Sequence, residues 1–231
     1  MRYLVLLLLV GCIDQIDQRW DLDHEHVVAV RMTPPSLMPG QHAKIDALLA
    51  HEGKAPTVGV PAGAAAGVPD GDPLHDIVSF SLIGGFTVTA PSEDILAQVR
   101  VRDGLAAGAP VPVPIVMAFP STGDDYLYAT KTIYLGQASE NPTAPAMAID
   151  GQLAADQVIV PIDQDVYVSV TVEPGARVNW LTSCGSLFQD DVATAFLRVL
   201  PEDRSDGQLA VVIRDPRGGV AWRVWPVTAT R

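Results

Sequence analysis

Five histidines, two cysteines and a few spaced aspartates are the residues of this chain whose types could do chemistry, and their placement narrows what that chemistry is. Nucleophilic catalysis needs a Ser or Cys with a base in reach and donors for the developing oxyanion. No Gly-x-Ser-x-Gly elbow occurs, and His24, His26, His42, His51 and His75 all fall in the first third of the chain. Cys184-Gly185-Ser186 stands without the surroundings of a thiol protease. In Asp21-Leu22-Asp23-His24-Glu25-His26, alternation would place His24 and His26 on one side of an extended segment. Imidazole and carboxylate suit zinc and related ions, but two histidines do not close a tetrahedral site, so a solvated polar segment is the better reading. Asp70-Gly71-Asp72 with Asp76 offers the oxygens calcium takes, yet its spacing departs from the EF-hand pattern. No metal or cofactor is expected, and the chain is read as non-catalytic.

The remaining reactive residue is Cys12. Met1-Arg2 carries a positive charge, and Tyr3 to Val10 form an apolar run far short of the roughly 20 residues that span a bilayer. A basic start, a short apolar core and small residues at its end describe an export signal. The run closes as Leu9-Val10-Gly11-Cys12, which resembles the lipobox of bacterial lipoproteins. That resemblance implies cleavage between Gly11 and Cys12, a diacylglyceryl thioether on Cys12 and acylation of its new amine. Two or more acyl chains hold a protein on a membrane where one does not. The resemblance therefore implies a lipid anchor on the cell envelope, with Ile13 after the cysteine favouring the bacterial outer membrane over Asp-directed retention in the inner one. With Cys12 lipidated, Cys184 has no intramolecular disulfide partner; a free Cys of this kind is most simply a small buried hydrophobe.

Composition agrees with an exported folded body. Removing residues 1–11 removes Arg2 and leaves 14 basic against 27 acidic side chains, a formal charge of −13. Nucleic-acid affinity comes from neutralising phosphates with Lys and Arg, so nucleic acid is not an expected partner. The apolar fraction of 48% against 18% charged supplies a core, unlike disordered chains. An envelope protein is the expected partner, and a glycan or small molecule the alternative ligand.

The elements that must present these residues read as strands. Residues 12–26 are polar and acidic and read as a tether that could extend some 45 to 50 Å. Val27 to Met32 is a β-branched run ending at Thr33-Pro34-Pro35, and Ala43 to Ala50 alternates after a Pro39-Gly40 turn, which favours period two. This order resembles the first two strands of bacterial immunoglobulin-like domains. Residues 53–76 are rich in Gly, Ala and Pro and read as a mobile loop. Strand-like runs follow at Ile77 to Ile83, Phe86 to Thr89, Leu96 to Arg102, Val111 to Phe119 and Tyr126 to Leu135. Pro112 and Pro114 would confine the fourth of these to an edge or an irregular segment. In the fifth, Tyr126, Tyr128, Thr130, Thr132 and Tyr134 share one face.

Residues 137–145 read as a linker between a first sandwich at 27–136 and a second at 146–231. Short strands with turns between them suggest an all-β protein of two small sandwiches, and no convincing helix. The second half resembles immunoglobulin-like or PKD-like domains, with Trp180 where such domains keep a core aromatic; the paired cysteines of antibody domains are absent. In the last strand Val220, Trp222 and Val224 share one face, with Arg223 and Trp225 on the other. One Trp must therefore leave its core or be covered by the first sandwich. The candidate interaction surface is Trp225, Arg223, Tyr126 and Tyr134.

Overall fold

A computed structural model describes residues 20–154 and 156–231. Gly11, Cys12 and the signal-like run lie outside those residues, as does the tether up to residue 19. The rest of the expected tether is part of the body. Leu22 is buried, its N–H donates to the Thr182 carbonyl at 2.9 Å, and the Thr182 N–H donates to the Trp20 carbonyl at 2.8 Å.

Among the described residues the chain is all-β apart from one short helix and a single 3-10 turn. Nine strands form the first sandwich: β1 (His26–Thr33), β2 (Ser36–Leu37), β3 (His42–His51), β4 (Lys54–Gly59), β5 (Gly63–Ala66), β6 (Val78–Ser81), β7 (Gly85–Thr89), β8 (Val111–Pro120) and β9 (Tyr126–Leu135). One sheet runs β1-β3-β7-β6 with β4 added to β3, and the other runs β2-β9-β8-β5. The second sandwich has β10 (Met147–Ile149), β11 (Gln152–Leu153), β12 (Val158–Pro161), β13 (Asp165–Val170), β14 (Arg177–Thr182), β15 (Ser186–Phe188), β16 (Thr194–Arg198), β17 (Asp206–Arg214) and β18 (Val220–Thr230). Its sheets run β11-β10-β13-β16-β15 and β12-β18-β17-β14.

Both halves repeat one topology. Lettering the second as A (β10), A′ (β12), B (β13), C (β14), D (β15), E (β16), F (β17) and G (β18) gives sheets A-B-E-D and A′-G-F-C. That is the constant-type immunoglobulin order with an added A′ strand. In the first half β1, β2, β3, β5, β6, β7, β8 and β9 take the same places. In both, A′ lies parallel to G, β2 beside β9 and β12 beside β18. Trp180 sits on strand C, fully buried, with its Nε1–H donating to the Val192 carbonyl at 2.9 Å.

Three expectations from sequence are corrected. Leu96 to Arg102 is not a strand: Glu93–Arg102 is helix α1, linking E to F in the first sandwich. Leu96, Val99 and Arg100 form its buried stripe, acids stand in the first turn and Arg100 and Arg102 in the last, the arrangement the helix dipole favours. Its Val-Arg alternation at 99–102 imitates period two.

Residues 53–76 are not a structureless loop. They contain β4 and β5, with Ala66 and Leu74 buried. Small residues suit β5 because it runs beside β8 from Ala66 opposite Ile115 to Gly63 opposite Ala118.

Pro112 and Pro114 do not lie on an edge strand, since β8 is flanked by β9 and β5. Pairing with β5 ends at Ile115, and the Pro114 carbonyl accepts from the Gly67 N–H at 2.7 Å. In a strand the N and O of one residue point to the same side, so the missing Pro114 N–H faces a place where β5 has already ended.

Each sandwich has its own core, and a third apolar cluster joins them. Val28, Ala29, Leu48 and Ala50 from the outer side of β1 and β3 meet Leu181, Ala210, Val212 and Val220 from the second half, with Trp222 and Val224 packed alongside. The two halves therefore stack face to face as four sheets. Polar groups fasten this junction. Arg31 holds Asp46 through 2.6 and 3.0 Å contacts and lies 4.2 Å above the Trp222 ring. Asn141, inside the expected linker, donates to the Met32 carbonyl at 2.8 Å and accepts from the Val220 N–H at 2.9 Å. The linker is thus tied to both sandwiches.

Candidate interaction surface

Of the four surface residues expected from sequence, one belongs to the core and one is half-covered. Trp225 is 1% exposed and packs in the second core, while Trp222 is the ring covered by the first sandwich. The alternation along β18 was correct, but its two faces were assigned in reverse, because the face that looked outward is the one closing the second sandwich. Arg223 is exposed, 3.4 Å from Asp156 and 5.1 Å above the Trp225 ring. Tyr134 is half-buried against the β17–β18 turn; a Cβ on Gly218 would stand 3.2 Å from its Cε2.

Tyr126 is the residue that marks an open surface. It is 51% exposed and its neighbour Tyr128 is 72% exposed. The register aligns Pro120 with Tyr126, Ala118 with Tyr128, Val116 with Thr130 and Pro114 with Thr132, and Ala65 of β5 continues the row beside Val116. Alternate residues Val113, Ile115, Met117, Phe119 and Ile133 are buried, which turns the Pro, Tyr, Val and Ala set outward. No charged side chain lies on this outer face of β8 and β9, in a chain that is 18% charged. Three strands about 4.8 Å apart and about 3.3 Å per residue give the face an extent of several hundred Å², the scale at which an exposed apolar patch marks an interface.

Two other apolar features stand on the surface. The β6–β7 hairpin carries Leu82 and Ile83 at its tip, 94% and 103% exposed, with Phe80 at 59% beside them. No charged residue occurs from Ile77 to Ser92. On the opposite end of the four-sheet stack Tyr167, Phe196 and Phe188 are aligned across β13, β16 and β15. The Tyr167 and Phe196 rings meet edge to face at 4.5 Å, a cross-strand pair that stabilises the sheet.

The residues screened for chemistry settle into structural positions. The His24 and His26 rings stack 4.1 Å apart, and burial lowers the His26 pKa. His75 lies within 3.6 Å of Asp70 and 4.0 Å of Asp76, while Asp72 binds Arg102 at 2.5 Å. Among the described residues no three His, Cys, Asp or Glu side chains gather as a metal group. Cys184 is buried and donates to the Arg204 carbonyl; burial pushes its thiol up to about 11, so it holds little of the reactive thiolate at neutral pH.

No family model and no curated protein matches the sequence. Solved structures similar to the chain include murine CEACAM1b, at 13% identity and a TM-score of 0.31, covering 87% of this chain and 100% of that one. The fibronectin(III)-like modules of Clostridium thermocellum CbhA reach 10% identity and a TM-score of 0.27, covering 87% and 94%. The tandem V-type regions of VCBP3, a v-region-containing chitin binding protein, reach 9% identity and a TM-score of 0.30, covering 88% and 99%. The fold assignment rests on the strand order described above.

Proposed function

We propose that this chain is an exported, lipid-anchored and non-catalytic protein that presents two face-packed immunoglobulin-like sandwiches as an interaction module of the bacterial cell envelope. The observation that carries this reading is the charge-free outer face of β8 and β9, where Tyr126, Tyr128 and Val116 stand exposed in register. Interfaces are enriched in Tyr and depleted of charge at their centres, and this face has that composition. The partner is an envelope protein whose own apolar face meets it. The anchor is Cys12 in Leu9-Val10-Gly11-Cys12, on the outer membrane.

Two measurements test the two parts separately. Cys12→Ser is expected to abolish lipid labelling and membrane fractionation; continued labelling would remove the anchor from the proposal. A photo-cross-linking residue at position 128 is expected to give one discrete protein adduct in cells that is lost in Val116→Glu. Equal adducts from position 128 and from a control position such as Asp163 would refute the face.

A further inference from the structure

The β17–β18 turn, residues 215–219, is where both sandwiches and the connecting segment meet, and it borders a cavity of about 450 Å³. Lys131, Arg177 and Arg214 all line it. Arg177 and Arg214 are direct cross-strand partners on β14 and β17, and Lys131 arrives from β9 of the other sandwich. The whole chain has only 15 basic residues and a net charge of −12, so three cations around one cavity run against its composition.

Their hydrogen bonds do not neutralise them. Lys131 Nζ donates to the Gly218 carbonyl at 2.5 Å, and Arg214 donates to Asn179 Oδ1 at 2.6 Å and to the Val28 carbonyl at 3.0 Å. Among the described residues none of the three cations makes an ion pair with a carboxylate. Asp215 is the acid at the cavity, and its Oδ1 is taken by the backbone N–H groups of Arg217 and Gly219 at 2.7 and 2.8 Å. Like charges placed opposite one another across strands are destabilising, and burying cations that outnumber their counter-charge costs more; Asp215 favours the charged form of Lys131 but is one carboxylate among three cations. Burial, and then the nearby Arg214 charge, bring Lys131 down to about 8; burial lowers Arg214 too.

We propose that this junction cavity binds a small phosphate-class oxyanion, held by Lys131 from one sandwich and by Arg177 and Arg214 from the other. Guanidinium groups present paired N–H donors that match such oxyanions, and ammonium adds a point charge. The acidic surface elsewhere does not prevent this, because fields are screened within about 8 Å at physiological ionic strength. Bound there, the anion bridges the sandwiches. Its source is either a free ion or an esterified phosphate such as a headgroup.

The test is isothermal titration of the purified full-length protein, at constant ionic strength set with chloride. Sulfate is the first probe because it does not titrate between pH 7 and 10. One saturable site is expected, with Arg177→Gln weakening it by about tenfold, the loss of one charge-assisted contact. Arg177 is exposed, so this variant is expected to fold; the distant Arg223→Gln is expected to bind as the parent does. Affinity should fall as pH rises through 8, as Lys131 loses its proton; the other charged groups lining the cavity are Arg177, Arg214 and Asp215. Inorganic phosphate and glycerol phosphate then distinguish the sources: tighter binding of the ester indicates a headgroup, and tighter binding of the inorganic ion a free anion. Non-saturable uptake, or binding unchanged in Arg177→Gln, overturns the proposal.

Discussion

Trp180 and Trp225 are both fully buried in one core, yet they differ in one atom's surroundings. The Trp180 indole N–H reaches the Val192 carbonyl at 2.9 Å, whereas Trp225 Nε1 has no hydrogen-bond partner among the described residues. Trp180→Phe is therefore expected to cost about 1 kcal/mol more than Trp225→Phe in urea denaturation, the net worth of one buried hydrogen bond; equal losses would show that both rings act by volume alone. Lys131 gives a pH signature. Its folded pKa of about 8 lies below the ordinary 10.5, so the unfolded chain binds the extra proton between those values. Stability must then rise with pH across that window, by roughly 2–3 kcal/mol for the group alone. In anion-free buffer, Lys131→Met should remove that rise, and an unchanged slope would place the titration elsewhere. Gly185 shows backbone demand: at φ +75 its Cβ would stand 2.3 Å from the Arg198 carbonyl oxygen. Gly185→Ala is expected to destabilise by about 2–4 kcal/mol, readable as a lowered denaturation midpoint.

Among the elements, the β6–β7 hairpin separates exposure from stability. Leu82 and Ile83 contact little of the body, so Leu82→Ser with Ile83→Ser should leave stability within about 0.5 kcal/mol, checked by thermal melting. The run read as a strand to Ile83 stops at Ser81, because Leu82 and Ile83 have no core to face and belong to the turn, but the two strands of this element were legible in the sequence with Gly84-Gly85 between them. So were β1, β3, β9 and the whole β17–β18 hairpin, whose alternation reports one buried face directly. Helix α1 was not, since Val99-Arg100-Val101-Arg102 fits a two-residue period as well as a helical one and only tertiary contact with the first core selects Leu96, Val99 and Arg100. Nor was β5, because Gly63-Ala64-Ala65-Ala66 has no side-chain pattern; its register comes from β8. Of the candidate surface, Tyr126 was readable and Tyr128 followed from the same row. Trp225 was misplaced for a reason no single strand can reveal: alternation tells which residues share a face, and the fold decides which face is inside. The junction cations were equally hidden, since Lys131 lies 46 and 83 residues from its two companions.

At the scale of the molecule, the third apolar cluster makes the two sandwiches one unit. Val28 and Leu48 from one half share it with Val212 and Trp222 from the other, and Asn141 pins the connection. Residues 53–76 and 137–145 are therefore expected to resist limited proteolysis, and calorimetry of the intact chain should show one transition. Val212→Asp should split it in two by placing a charge in the shared cluster; a single unshifted transition would mean that the halves are coupled by something else. The N-terminal clasp carries a mechanical consequence. With Trp20 to Leu22 bound along the end of β14, a lipidated Cys12 would be separated from the body by eight residue steps, at most about 26 to 29 Å. If the proposed anchor holds, a tug from the membrane would load the contacts of Trp20 and Leu22 with Thr182 before any sheet, so the protein would ride low over the bilayer and strain on the anchor would be felt first at the seam between its halves.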